Sequence, residues 1–154
     1  MEQKTKINAE EGKQELFIIR EFDLPLELLF KAYQEPDLVE QWMGTKVLKL
    51  ENKKHGSYAF ETSRNGKVVF SANGVIHEFI HAKKIIRTFE MDNAEIGVQL
   101  EILNFEKLTD QTSKLTMQVI YQSVQHRAIQ LKMPFEYGIN TAHNHLQEMM
   151  SNLK

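Results

Sequence analysis

The chain has no cysteine, and its 154 residues include only three prolines, seven glycines and one tryptophan. Lack of cysteine excludes disulfides, thiolate catalysis and Cys-type zinc sites. A strong charge of either sign is missing too: 19 Lys and Arg stand against 21 Asp and Glu, a formal net charge of -2, with a pI of about 6.3. No general attraction to nucleic acid or to an anionic membrane follows from that balance, and neither is expected as a partner. No apolar run approaches the roughly 18 residues of a membrane span. The polar start MEQKTKINAEEGKQ lacks the apolar core of a signal peptide, so a cytoplasmic location is expected. Gly-rich phosphate loops, a G-x-S-x-G elbow, a dinucleotide fingerprint and HExxH are all absent, and no cofactor is expected.

What is present is the composition of an ordinary globular domain, 42% hydrophobic and 26% charged, of a length that suits one core without staples. Residues 1–13 read as a flexible, solvated arm and 14–154 as a single domain. Leu16–Phe22 is rich in β-branched and aromatic residues and reads as a strand, ended by Asp23-Leu24-Pro25. Leu26, Leu29, Phe30 and Tyr33 then form a helical stripe, and Glu35-Pro36-Asp37 starts a second short helix carrying Leu38 and Trp42.

Strands are predicted at 46–51 and 57–62, then from Val68 to about Phe79, at 84–90, and in a hairpin of Val98–Lys107 with Lys114–Tyr121. Asn65-Gly66 signals a tight hairpin, because both central residues need positive φ. Gly74 within the long strand suggests a bulge or bend. Residues 91–97 read as a loop. After Met133-Pro134 the period changes. Phe135, Ile139, Ala142, Leu146, Met149/Met150 and Leu153 mark one long amphipathic helix, and Gly138 in its first turns suggests close approach to the sheet or open volume beside it.

Several ordered motifs carry a resemblance. Arg20-Glu21-Phe22-Asp23-Leu24-Pro25 leads to Leu29-Phe30-Lys31-Ala32, and Glu35-Pro36-Asp37-Leu38 leads to Gln41-Trp42-Met43-Gly44. His55-Gly56-Ser57-Tyr58-Ala59-Phe60, Gly74-Val75-Ile76-His77-Glu78-Phe79 and Thr112-Ser113-Lys114-Leu115-Thr116-Met117 follow, with the late Gly138 in the long helix. In order and spacing over residues 15–153, these resemble the activator-of-Hsp90-ATPase-like family of the Bet v 1/START-related (SRPBCC) superfamily. That family has a second Trp where this chain has Met43, a Pro where it has Thr45, and a Gly where it has His55.

The resemblance implies an α+β helix-grip fold: a curved antiparallel sheet of six to seven strands wrapped on the long C-terminal helix, with two short helices after the first strand. It also implies a hydrophobic cavity between sheet and helix. Superfamily relatives bind lipids, hormones or polyketides, and some catalyse cyclisation or hydrolysis. The co-chaperones that name the family use a separate N-terminal domain for most of the Hsp90 contact, so an Hsp90-type partner is disfavoured here.

Trp42, Tyr58, Phe60, Phe70, Phe89 and Met117 are the expected apolar lining, by strand alternation. Arg87 shares parity with Ile85 and Phe89, and would be a cationic anchor for a carboxylate or phenolate if that face turns inward. Glu78 shares parity with Gly74 and Ile76 and is the candidate general base. The bland readings are a rim carboxylate for Glu78, a solvated or salt-bridged Arg87, and a filled core. His143 and His145 lie about 200° apart on a helix and cannot chelate one ion; the six histidines read as structural or surface residues and no metal is expected. Three functions compete: a non-enzymatic binder of a small apolar or amphipathic molecule, a cyclase- or hydrolase-type enzyme using Glu78 or Arg87, and a chaperone-associated or self-associating module such as a homodimer.

Overall fold

A computed structural model describes residues 4–92 and 94–154. Its elements in chain order are β1 (Lys6–Asn8), β2 (Glu15–Phe22), α1 (Leu26–Gln34), α2 (Pro36–Met43), β3 (Lys46–Leu50), β4 (Ser57–Arg64), β5 (Lys67–Ile80), β6 (Lys84–Met91), β7 (Val98–Lys107), β8 (Ser113–Ile120), α3 (Val124–Leu131) and α4 (Phe135–Ser151). The strands form one antiparallel sheet in the order β1-β2-β8-β7-β6-β5-β4-β3. The sheet curves around α4 in a helix-grip arrangement, with eight strands rather than six or seven.

The added strand is β1. Lys6–Asn8 pairs with Phe17–Ile19 of β2, and Thr5 beside it is buried, so this part of the expected arm is built into the fold. Residues 1–3 of that arm, and Asn93 of the expected 91–97 loop, lie outside the described residues.

Alternation sets which residues face α4. Leu16, Ile18, Arg20 and Phe22 of β2 are buried, as are Leu115, Met117 and Val119 of β8 and Leu103 and Phe105 of β7. All of these but Arg20 join Leu29, Phe30, Leu146 and Met150 in the main core. A second, smaller cluster of Val39, Tyr58, Phe60 and Ile76 fills the β4–β5 side.

Asn65 and Gly66 both take positive φ, 53° and 76°, as the hairpin requires. Gly74 acts differently from the bulge expected there. It stays in register opposite Tyr58, and the register shifts fall elsewhere, between Thr62/Ser63 on β4 and between Ile76/Glu78 on β5. A Cβ on Gly74 would stand 2.0 Å from the Thr88 carbonyl oxygen and 2.7 Å from the Tyr58 ring. The missing side chain is what lets Tyr58 lie across β5 and donate its hydroxyl to the Thr88 carbonyl on β6. His55, at the family's glycine position, has φ 67° and holds the left-handed conformation without being glycine.

Residues 122–132, to which the sequence reading assigned no element, hold α3. Ser123 caps it by accepting from the His126 backbone N–H.

Gly74→Ala should cost about 2–3 kcal/mol, the range for forcing atoms into a packed site. Urea unfolding checks it. A loss near that of an ordinary exposed Gly→Ala change would mean that Tyr58 does not need this space.

Candidate functional site

Between the two hydrophobic clusters lies a cavity of about 370 Å³. The sheet lines it with Phe60, Phe70, Arg87, Phe89, Glu101 and Met117. Across from them stand Val39, Trp42 and Met43 of α2, and Phe135, Gly138 and His143 of α4. Gly138 leaves this space open, since a Cβ there would meet nothing within 4 Å.

Trp42, Phe60, Phe70, Arg87, Phe89 and Met117 all stand along this hollow. Tyr58 stands apart from the lining. It is buried behind it, against Phe60 and beneath Arg87. Glu78 also stays outside. The bulge at His77 pairs Ile76 with Arg87 but Glu78 with Ile86. Residues directly opposite share a face, so Ile76 faces the core while Glu78 has been turned to the other side. The candidate base is thus corrected: it does not reach the cavity that Arg87 enters.

Arg87 is both inward-facing and salt-bridged. Its Nε donates to Glu101 Oε1 at 2.9 Å, and the two side chains are only 13% and 4% exposed. They are cross-strand partners on β6 and β7. Gln99 Nε2 donates to the other Glu101 oxygen at 2.9 Å. The guanidinium carbon sits 5.1 Å from the Tyr58 ring centroid, a cation–π distance. Burial alone would weaken Arg87's hold on its proton, but the bonded Glu101 carboxylate opposes this and the group holds its proton more firmly than free arginine. Burial pushes the hydroxyl pKa values of Tyr33 and Tyr58 up, keeping both neutral. Tyr33 also stands on the cavity wall. Trp42 is satisfied by the Ala32 carbonyl at 2.8 Å.

The sequence reading missed Glu101, Gln99, Gln130 and His143 as cavity residues. The signal for the first two is their parity with Leu103 and Phe105, obscured because Leu100 and Ile102 make the other face of β7 apolar as well. Gln130 accepts from the Tyr121 hydroxyl inside the fold.

His143 ties the cavity wall to the N-terminus. Its Nδ1 is 2.8 Å from Thr5 Oγ1. That same oxygen accepts from Arg20 Nη1 at 3.1 Å, and Arg20 also donates to Asn144 Oδ1 at 2.8 Å. The Thr5 backbone N–H donates to Asn140 Oδ1 at 3.0 Å. Burial, aided by the Arg20 charge, pushes the His143 pKa down to about 3.

A second hollow of about 420 Å³ lies by β1 and β2, beside Asn8, Glu10, Lys13 and Gln14. Those four side chains are all exposed, so it is a solvated surface groove and not an enclosed site. No group of three or more His, Asp or Glu among the described residues could hold a metal ion. No helix among them is long and apolar enough to cross a membrane.

The curved antiparallel sheet around α4 defines a helix-grip domain. The family model for "Activator of Hsp90 ATPase homolog 1-like protein" matches residues 23–151, and the chain belongs to that family. Solved structures with the same fold include a protein from Arthrobacter aurescens, with TM-score 0.85, 15% identity, and 96% of this chain and 91% of that chain covered. A protein from Rhodobacter sphaeroides gives TM-score 0.84 at 21% identity, covering 96% of this chain and 99% of that one. One from Mycobacterium smegmatis gives 0.83 at 17%, covering 94% and 95%. No curated protein matches the chain. At these identities the likeness carries the fold alone.

The neutral His143 contributes a pH dependence. Its folded pKa lies below the ordinary 6.5, so the unfolded chain binds the extra proton first. Stability is retained above about 6.5 and lost as pH falls toward about 3. From pH 6.5 to 5 the loss should be roughly 2 kcal/mol, at 1.36 kcal/mol per pH unit. Urea unfolding of the wild type and His143→Gln at pH 7 and pH 5 checks this. The variant should lack that increment, and equal losses in both proteins would contradict it.

Proposed function

We propose that this protein is a non-enzymatic binder of a small apolar or amphipathic molecule, held in the cavity between the sheet and α4. The observation that carries the reading is the unfilled space at the seam of two hydrophobic clusters, walled by Trp42, Phe60, Phe70, Phe89 and Met117, with one polar ledge of Arg87, Glu101 and Gln99. An apolar enclosure with a few convergent polar groups is the usual form of a small-molecule site, and 370 Å³ lies at the compact end of such sites. Membership of a family with this fold supports the reading by analogy. The cytoplasmic setting expected from the sequence is part of the same proposal. Neither a second copy of the chain nor an Hsp90-type chaperone enters it. The enzyme reading loses its base, since Glu78 is turned away from the cavity.

Gly138→Leu offers a test that spares folding. Nothing lies within 4 Å of the new Cβ, and leaving glycine in a helix favours stability by up to about 1 kcal/mol. Native mass spectrometry and thermal unfolding with a panel of alcohols, amides, phenols, fatty acids and small lipids should give a retained adduct and a raised Tm for the wild type. Gly138→Leu should unfold at the same temperature or higher and lose both responses. A panel with no adduct and no shift would contradict the proposal.

A further inference from the structure

Among the described residues, only two of the side chains around the cavity carry a formal charge, Arg87 and Glu101, and they are bonded to each other. The rest of the polar wall is neutral: Tyr33 from α1, Gln99 from β7, Gln130 from α3 and the uncharged His143 from α4. We propose that the cavity selects an uncharged amphipathic molecule, one whose non-ionised head hydrogen-bonds at the Arg87–Glu101–Gln99 ledge while its apolar body lies among the aromatic side chains. This rests on the ligand-pocket reading above and names its ligand class.

From sequence, Arg87 could be either an anchor for a carboxylate or phenolate or a salt-bridged arginine. Its surroundings argue against an anionic ligand. Glu101 already occupies the Nε side of the guanidinium, and the Tyr58 ring covers its face. A carboxylate entering the cavity would be a second anion beside a 4%-exposed carboxylate. Two carboxylates sharing one arginine repel each other, which disfavours the ionised form of the second. An ammonium head would meet the same obstacle at Arg87.

A neutral head meets both kinds of partner. Arg87 keeps N–H donors beyond the one given to Glu101. The Gln99 side chain spends an amide N–H on Glu101 and keeps its carbonyl oxygen. Gln130 spends its carbonyl oxygen on Tyr121 and keeps its amide N–H groups. The Tyr33 hydroxyl can donate and accept. An amide, alcohol or phenol satisfies such a set without disturbing the ion pair.

Arg20 on β2 and Arg127 on α3 are buried cations outside the cavity lining, and their fields oppose this selectivity. Arg127 donates to the Glu15 backbone carbonyl, and the Arg20 guanidinium is committed to Thr5, Asn140 and Asn144. It does not line the cavity, and the half-buried Asn140 and Asn144 admit solvent that screens it.

Matched probes test the inference: decanamide against decanoate, and naphthalene-2-carboxamide against naphthalene-2-carboxylate, by calorimetry at pH 8. In each pair that binds, the amide should bind at least tenfold more tightly. Glu101→Gln should reverse the order by freeing Arg87 for the carboxylate. Should that variant fail to fold, the wild type still decides. Decanoate affinity should rise close to tenfold per pH unit as pH falls from 8 toward 5, because only the protonated acid enters. Arg87→Gln/Glu101→Gln, which removes both charges, should keep the preference for amides. Tighter binding of either carboxylate at pH 8 overturns the inference and leaves the pocket reading standing. Binding of none of the four probes overturns both.

Discussion

The Arg87–Glu101 ion pair is the constraint around which the concave face of the sheet is arranged. Two charged side chains sit where the strands on either side place hydrophobic ones. Removing such a pair from water is costly, and it holds only if the remaining hydrogen-bonding capacity is met. Gln99 takes the second Glu101 oxygen, and Tyr58 offers its ring to the guanidinium. Tyr58 reaches that place only because Gly74 has no side chain, and its hydroxyl is then absorbed by the Thr88 carbonyl. One glycine on β5 therefore sets the position of a tyrosine on β4, which covers an arginine on β6, which neutralises a glutamate on β7.

That chain of contacts divides the interior. On one side the β2–β8–β7 surface packs with α1 and α4, and on the other β4 and β5 close on α2. The cavity occupies the seam, and its helix-side wall depends on α4 staying in place. Thr5, Arg20, Asn140, Asn144 and His143 perform that task, fastening the N-terminal strand and β2 to the middle of the helix by hydrogen bonds rather than apolar contact. Helix position and cavity shape are thus tied to a polar network that stays uncharged at His143 and cationic at Arg20.

Where burial and local chemistry agreed, the sequence was a good guide. The Asn65-Gly66 turn, the α1 stripe through Leu29, Phe30 and Tyr33, and the long C-terminal helix could all be read directly. Tyr58 has the parity of Phe60 but lies behind the hollow that Phe60 lines. Glu78 was misplaced because parity holds only until a bulge, and nothing at His77 marks one. Glu101 was overlooked because both faces of β7 are largely apolar, so alternation could not say which way a lone carboxylate turns. The helix α3 was invisible to hydrophobic period because the side chains it buries are Arg127 and Gln130. Strand β1 is three residues long in a polar stretch, and its place is held by Thr5, two of whose partners, Asn140 and His143, lie more than a hundred residues away on α4.

The most direct test of this account is a double-mutant cycle on Arg87→Met and Glu101→Leu, read by urea unfolding at pH 7. Each single change leaves one buried charge without its partner and should cost about 3–5 kcal/mol, whereas the double variant should cost far less than the sum. Single losses near 1 kcal/mol that simply add would mean the pair does not organise the concave face, and the account would be wrong at its centre.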